Sequence, residues 1–384
     1  MPDNFTSVTS SSWGGRILGS FFGMLIGIAL AIGSVPLLVW NEGRTINTTR
    51  ALEEASANFV AANPETVLST NEGKLVYLTG SAQTPEVLFD PDYGIGANAL
   101  RFERTAERYL WEEKKESRKE KNLGGSENTV TTYEYVKGWH KNHIDSSSFQ
   151  HPEGHANPPA GREGERSFDA AKATIGAYLL PSELLSKLSA DETLSLQESD
   201  LAKLPPVLRP QAHLSGSEIY IGADPASPQL GDTRVTFKLL RPTDVSLIAQ
   251  QSGKSFVPYV AKSGKQVERI EKGQVSAAQM LEHAKSENQM IAWLVRAGGF
   301  LMLFIGFVSI ARPFSVLGDF LPFVGSLIGA GAAIFAFAAA LLTASVTIAV
   351  AWFAYRPLLS GGLIAGAVLV WYLLHRAHRQ PARA

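Results

Sequence analysis

Long apolar runs flank a polar middle region in this chain. Residues 17–39 contain no Asp, Glu, Lys or Arg, and about 20 apolar residues suffice to cross the hydrocarbon core of a bilayer. The pattern therefore predicts a first transmembrane helix over residues 17–40. A cleaved signal peptide is the alternative interpretation. It is disfavoured because the run is long and because its end, from Pro36 to Trp40, lacks small residues typical of a cleavage site.

Three further apolar runs near the C-terminus predict transmembrane helices over residues 290–311, 327–353 and 358–374. Tryptophan and tyrosine lie at or near the ends of these runs, where amphipathic rings prefer the headgroup region. Glycine and alanine crowd the third span, which indicates a close helix-packing face that would also assist association between copies.

Residues 312–326 are apolar but contain Gly318, Asp319 and Pro322. This composition predicts an interfacial or re-entrant segment rather than a crossing.

Basic residues beside the spans predict the orientation, because cytoplasmic flanks are enriched in Lys and Arg. Residues 1–16 are then a short cytoplasmic N-terminus and residues 375–384 a basic cytoplasmic tail. Residues 41–289 face the opposite compartment. The flanking arginines on the cytoplasmic side are Arg16, Arg312, Arg376, Arg379 and Arg383.

Residues 41–289 are long enough to bury a core, and their pattern predicts an α+β, strand-rich domain. Two subdomains, around residues 41–160 and 170–275, are an open alternative. A charged run that ends at Gly124 and Gly125 predicts a solvated hairpin tip. Ser276 and Gln279 form a capping-box pattern, so a helix beginning there is expected to run on into the second span.

Composition narrows the chemistry. The formal net charge is −1, so no overall field favours nucleic acid as a partner. The chain has no cysteine, which excludes disulfides, thiol catalysis and thiolate metal sites.

Four histidines are the strongest candidates for a metal site. They lie in a loop-rich stretch, but their spacing matches no metal motif of fixed geometry, so surface histidines are the favoured interpretation. Asp90 and Asp92 predict a capped turn rather than a calcium loop. The four histidines are His140, His143, His151 and His155.

No catalytic motif is present. A glycine-rich phosphate loop, a nucleophile elbow and a zinc-protease helix are all missing. The sequence therefore predicts neither an enzyme nor a cofactor. Glu42 and Arg44 lie just after the first span, either as anchors for the domain or a partner, or as an ordinary solvated flank.

The order of several short motifs resembles the LUMA family, the group of transmembrane protein forty-three and its prokaryotic relatives. The resemblance runs almost from end to end. The matching residues that we take as candidate interface positions are Asn41, Glu42, Gly43, Arg44, Tyr109, Trp111, Trp139, Asp232, Arg234, Tyr355, Arg356 and Pro357.

The resemblance implies four spans, a large extracytoplasmic domain, self-association and no established active site. It implies the endoplasmic reticulum and inner nuclear membrane in animals, with contacts to envelope proteins such as emerin and lamins. The absence of cysteine and the short N-terminal tail favour a bacterial inner membrane with a periplasmic domain.

These observations favour a non-enzymatic membrane scaffold that forms homo-oligomers and binds other membrane or envelope proteins. The alternative is a transporter, channel or lipid-handling protein built on the last three spans. The lack of charge within the spans counts against this alternative, because ionisable residues usually mark transport pathways. A hydrolase in the middle domain is the least favoured interpretation.

Overall fold

The computed structural model describes residues 3–355. The predicted fourth span, residues 358–374, and the basic tail, residues 375–384, lie outside the described residues. Among the described residues there are five α-helices, three long and two of a single turn. They are α1 (Trp13–Asn58), α2 (Ser182–Leu185), α3 (Glu198–Leu201), α4 (Ala277–Gly318) and α5 (Pro322–Tyr355).

The strands fall mainly between α1 and α4. They are β1 (Asp3–Ser11), β2 (Val60–Ala61), β3 (Leu75–Gln83), β4 (Val87–Asp90), β5 (Ile95–Asn98), β6 (Arg101–Lys121), β7 (Glu127–His140), β8 (Gly164–Asp169), β9 (Ala173–Ile175), β10 (Tyr178–Leu180), β11 (Glu192–Thr193), β12 (Ala212–Ser215), β13 (Glu218–Ile221), β14 (Thr233–Leu240), β15 (Thr243–Ser252), β16 (Ser255–Val257), β17 (Tyr259–Val260), β18 (Gln266–Val267) and β19 (Arg269–Lys272).

The chain divides into two compact units. We call residues 3–7, 51–117 and 131–283 the strand unit, and residues 8–50, 118–130 and 284–355 the helix unit.

Two antiparallel sheets dominate the strands. The first has the order β1-β7-β6-β14-β13-β12, with β8 on β6 and β11 on β14. The second has the order β10-β9-β3-β15-β16, with β19 on β15 and the short parallel strand β2 on β3. The predicted strand-rich α+β character of the middle region is confirmed.

Each sheet has its own hydrophobic cluster in the strand unit. Leu78, Leu247 and Tyr178 lie in the cluster of the second sheet, whereas Phe102 and Phe237 stack at 5.4 Å in that of the first. Inward and outward residues alternate along a strand, so β3 and β15 place one apolar face against their cluster.

The two sheets do not correspond to two successive subdomains. β3 pairs with β15 over eight residue pairs, and β6 pairs with β14 over another eight. Strands from both halves of the sequence therefore share each sheet, and neither sheet is confined to residues 41–160 or to residues 170–275.

The three long helices are apolar and long enough to cross a membrane. The predicted spans at residues 17–40, 290–311 and 327–353 lie inside α1, α4 and α5, respectively. A fourth crossing falls outside the described residues, so the number of four is not shown.

The segment at residues 312–326 differs from the expectation. α4 continues through Pro313 to Gly318, and α5 begins at Pro322, so only a three-residue turn separates the two helices. A proline at the start of α5 lacks an N–H that would have had no partner there. The capping box at Ser276 and Gln279 is confirmed, with reciprocal hydrogen bonds of 3.2 and 3.3 Å.

Small residues bring the long helices close together within the helix unit. A Cβ on Gly27 would lie 2.6 Å from the carbonyl oxygen of Gly306, and a Cβ on Gly306 would lie 2.8 Å from that of Gly27. Ala340 and Ala344 of α5 are buried in a cluster with Leu38 and Leu303. These two alanines of α5 thus pack inside the chain.

Candidate functional site

A carboxylate buried among the long helices is the centre of the first polar network. Glu42 on α1 is 1% exposed. Its two carboxylate oxygens accept hydrogen bonds from Nε and Nη2 of Arg296 on α4, at 2.6 and 2.7 Å. The indole Nε1 of Trp352 on α5 donates a third bond at 2.7 Å. One side chain therefore ties three helices, and the bidentate geometry is the strong form of an arginine–carboxylate pair.

The neighbours of Glu42 extend this network. Asn41 Nδ2 donates to the carbonyl oxygen of Ala292 at 3.1 Å. Arg44 Nη1 donates to Asn288 Oδ1 at 3.1 Å, and Asn288 Nδ2 returns a bond of 3.0 Å to the carbonyl oxygen of Thr45. Residues 41–44 form one motif, Asn-Glu-Gly-Arg. Every polar side chain of this motif thus points into the helix unit, so the interpretation as a solvated flank is wrong.

A steric constraint explains why the third residue of the motif, Gly43, has no side chain. A Cβ on Gly43 would lie 2.7 Å from Cζ and Oη of Tyr355, the last described residue of α5. Tyr355 also accepts a hydrogen bond from Arg50 through its carbonyl oxygen, at 2.8 Å. The two remaining candidates of this group, Arg356 and Pro357, lie outside the described residues.

A second polar network lies at the other end of the helix unit. Asp319, in the turn after α4, is 1% exposed and pairs with Arg16 and with Lys121 Nζ, the latter at 2.7 Å. Arg16 also lies 3.3 Å from Glu127 and donates to the carbonyl oxygen of Gly125 at 2.5 Å. The turn between β6 and β7 is thus held by ion pairs and is not a freely solvated tip.

The two networks bound an apolar length that suits a bilayer. From Arg16 to Glu42, 26 residues of continuous helix rise about 39 Å at roughly 1.5 Å per residue. A hydrocarbon core is about 30 Å thick, or about 40–45 Å with its interfaces. The polar networks are therefore spaced to lie near the two faces of a membrane.

The candidates in the strand unit form a separate aromatic cluster. The rings of Tyr109 and Trp139 lie 5.2 Å apart, and Arg234 covers the Trp139 ring at 4.8 Å. Arg234 Nε also donates to Glu107 at 2.6 Å. These contacts join neighbouring strands of the first sheet, so the charged and aromatic residues there bind each other.

Asp232 supports the same cluster. Its carboxylate accepts from the hydroxyl of Tyr220 at 2.5 Å and from the backbone N–H of Gln229 at 2.7 Å. Burial, followed by this hydrogen bond and the negative charge of Asp232, raises the pKa of Tyr220 far above its usual range. The phenol stays protonated and acts as a donor, not as a base.

Trp111 belongs to a neighbouring group. Lys137 covers its ring at 4.6 Å, and His155 meets it edge-on at 4.9 Å. Its backbone N–H donates to Asn157 Oδ1 at 2.8 Å.

The interpretation as surface histidines fails at one position. His155 is 2% exposed and stacks on Tyr135 at 4.0 Å, and His151 stacks on Phe5 at 4.3 Å. Within residues 3–355 no group of three His, Asp or Glu side chains is arranged to hold a metal ion. His155 is a packed ring in the strand unit.

The turn at Asp90 has its predicted cap and an additional role. Its Oδ1 accepts from the N–H of Asp92 at 2.7 Å, while its Oδ2 lies 3.2 Å from Nε of Arg104, which is 2% exposed. Burial raises the pKa of the Asp90 carboxyl, although Arg104 acts in the opposite direction.

Arg296 was not among the candidate positions chosen from the sequence, and nothing in the sequence paired it with Glu42. It lies inside the predicted span at residues 290–311, so the spans do carry an internal charge, contrary to our reading of the sequence. The available signal was the arginine itself, since an ionisable residue within an apolar span marks a site that needs a partner.

The sequence comparisons agree with this architecture. The profile of the family described as Transmembrane protein 43 matches residues 108–357. The human Transmembrane protein 43 is 32% identical over 94% of this chain and 91% of its own length. The mouse protein is 31% identical over 94% and 91%, respectively. The Drosophila melanogaster homologue is 28% identical over 91% of this chain and 93% of its own length. No solved structure gives a significant match.

The relatives, the profile and the three apolar helices point to the same class of protein. The resemblance noted from the sequence motifs is confirmed, and the molecule is an integral membrane protein. The chain belongs to the Transmembrane protein 43 family.

Proposed function

We propose that this protein is a non-enzymatic membrane scaffold, which holds its strand unit at a membrane and there binds further copies of itself or other membrane proteins. One observation carries the proposal. The polar residues chosen from the sequence form hydrogen bonds and ion pairs that join helices to each other or strands to each other. Glu42, for example, accepts three hydrogen bonds, two from Arg296 and one from Trp352.

A catalytic group needs a free lone pair or proton aimed at a substrate. The three donors on Glu42, and the tyrosine and backbone donors on Asp232, leave these carboxylates as structural anchors. Such anchors favour a rigid platform over a reacting centre.

The compartment and the number of spans are part of the same proposal. The apolar run at residues 358–374 supports a fourth crossing, which would return the C-terminus to the side of the N-terminus. A bacterial inner membrane, or the endoplasmic reticulum and inner nuclear membrane in an animal, are the compartments expected from the family. Fractionation of source cells with marker proteins decides between them.

The test is extraction of the full chain from native membranes in mild detergent, followed by crosslinking and native mass analysis. We expect one defined oligomer, or a complex with another membrane protein at fixed stoichiometry. Its composition should not change over a tenfold dilution, which is the control against chance association. A monomer that retains no protein at any dilution would overturn the scaffold proposal.

A further inference from the structure

α4 and α5 leave a cleft between them within the helix unit. Its volume is about 560 Å³, which falls in the range of roughly 300–1,000 Å³ typical of ligand sites. Most of its surface is apolar. The lining residues that matter here are Trp293, Arg296, Ala297 and Phe300 of α4 with Ser345 and Ala349 of α5.

The cleft exists because small side chains stand where larger ones would fill it. Ala297, Ser345 and Ala349 are exposed along its walls. Ala340 of α5 packs in the cluster with Leu38 and Leu303, whereas Ala344 belongs to that cluster and also lines the cleft. The floor of the cleft therefore adjoins the hydrophobic cluster of the helix unit.

The length of the cleft corresponds to one leaflet. On α5 it extends from Leu341 to Trp352, and these 11 residues rise about 16 Å. Half of a hydrocarbon core of about 30 Å is about 15 Å. An extended acyl chain of a membrane lipid is the natural apolar object of this length.

One end of the cleft is polar. Arg296 has five N–H donors, and Glu42 accepts from two of them, on Nε and Nη2. The guanidinium also covers the ring of Trp293 at 4.9 Å. Donors thus remain on Arg296 beside two indoles, a combination that suits the level of lipid headgroups.

We infer that this cleft binds one acyl chain of a glycerophospholipid, and that Arg296 donates to a phosphate oxygen of the same molecule. Arginine is well suited to phosphate oxygens because its donors form a planar fork. A water-soluble ligand would not match the apolar walls, and a hydrocarbon without oxygen would leave the donors of Arg296 unused. The inference is independent of the scaffold role.

The test fills the cleft from its exposed wall. Ala349→Phe places a ring in the path of the acyl chain, whereas Ala338→Phe adds the same ring at an exposed position of α5 that does not line the cleft. Native mass analysis of the full chain in mild detergent counts bound phospholipid per protomer. We expect about one in the wild type and in Ala338→Phe, and a loss of at least about fivefold in Ala349→Phe, since one bulky group in a packed site changes occupancy on that scale.

Two controls separate a folding defect from a loss of lipid binding and test the role of the lipid headgroup. Ala297→Phe blocks the same cleft from α4 and replaces Ala349→Phe if that variant is not folded by size-exclusion profile. Delipidated wild type is also offered phosphatidylglycerol or diacylglycerol, and we expect the phosphate-bearing lipid to bind more tightly.

Three results would overturn the inference. One is a wild type that carries no bound phospholipid. This result would overturn the inference regardless of whether crosslinking then finds a second copy or residues 358–374 at the cleft. Another is an equal lipid count in both phenylalanine variants of α5. Equal binding of the two added lipids would remove Arg296 from the site.

Discussion

Glu42 shows how one residue can hold several elements. Its carboxylate is 1% exposed, and its partners stand on two other helices. A buried charge of this kind is stable only while its counter-charge remains in place. The pair with Arg296 therefore selects one arrangement of the three helices, and it adds little net stability.

Glu42→Gln should destabilise the protein by about 3 kcal/mol, because it leaves the guanidinium of Arg296 without a counter-charge in a buried site. The midpoint of thermal unfolding in detergent measures this loss. Glu53→Gln, at an exposed position of the same helix, is the control and should change little. The double variant Glu42→Gln with Arg296→Met should recover part of the loss. If it is as unstable as the sum of its single variants, the two residues do not act as a pair.

The pKa of Tyr135 leads to a prediction about how the stability of the protein depends on pH. Burial, followed by its 2.5 Å hydrogen bond to Glu113, raises its pKa from 10.0 to about 12. The folded state thus keeps the proton when the unfolded chain has lost it. This contribution to stability is fully present below pH 10 and is lost as the pH rises from about 10 to about 12.

Tyr135→Phe should accordingly flatten the fall in stability above pH 10, relative to the wild type. Alkaline absorbance titration gives the direct measurement, since the variant should lack one phenol that ionises near pH 12. Loss of a phenol that ionises near pH 10 instead would contradict the burial of Tyr135.

The sequence identified the motif residues but not their partners. Asn41 to Arg44 were recognisable as a motif, whereas Arg296 is 254 positions away from Glu42, and no local pattern encodes a contact over that distance. The prediction that His155 lies on the surface was wrong for a related reason. The polar composition of its stretch does not reveal that Tyr135 and Trp111 pack against its ring.

At the scale of elements, the close approach of α1 and α4 depends on two glycines. Gly27 and Gly306 face each other so closely that a Cβ on either would meet the carbonyl oxygen of the other. Backbone atoms cannot rotate away as side chains can, so relief requires that the helices move apart.

Gly27→Ala should therefore destabilise the helix unit by about 1–3 kcal/mol, the usual cost of overpacking. Gly23→Ala is the matched control, one turn earlier on α1, where a Cβ would have nothing within 4 Å. It should be neutral or slightly stabilising, since alanine favours a helix over glycine. Thermal unfolding in detergent compares the two. Equal losses would show that α1 and α4 are not in contact at Gly27.

The sequence predicted which segments are apolar and long enough to span a membrane, but it did not predict where the helices begin and end. The sequence located three described spans, but α1 runs unbroken from Trp13 to Asn58 past Pro36. One proline removes a single helical hydrogen bond, and the packing on both sides of it continues the helix. The pairing of β3 with β15 was also hidden, because the first residues of the two strands, Leu75 and Thr243, are 168 positions apart in the sequence.

At the scale of the whole molecule, the side of the membrane on which each segment lies stays a prediction, and one set of ion pairs bears on it. Basic flanks place Arg16 on one face of the membrane and residues 41–289 on the other. In the helix unit, however, Lys121 and Glu127 form ion pairs with Asp319 and Arg16. Since charged side chains rarely lie within lipid, this turn and the N-terminal end of α1 should occupy the same face.

Cysteine labelling tests this directly, because the chain has no cysteine of its own. Leu123 in the turn is 82% exposed, and Ser12 and Glu53 are exposed near the two ends of α1. In sealed, oriented membranes, Leu123→Cys should react with an impermeant maleimide from the same side as Ser12→Cys and from the opposite side to Glu53→Cys. If Leu123→Cys instead reacts together with Glu53→Cys, the basic-flank prediction holds and Asp319 must be neutralised by Arg16 alone.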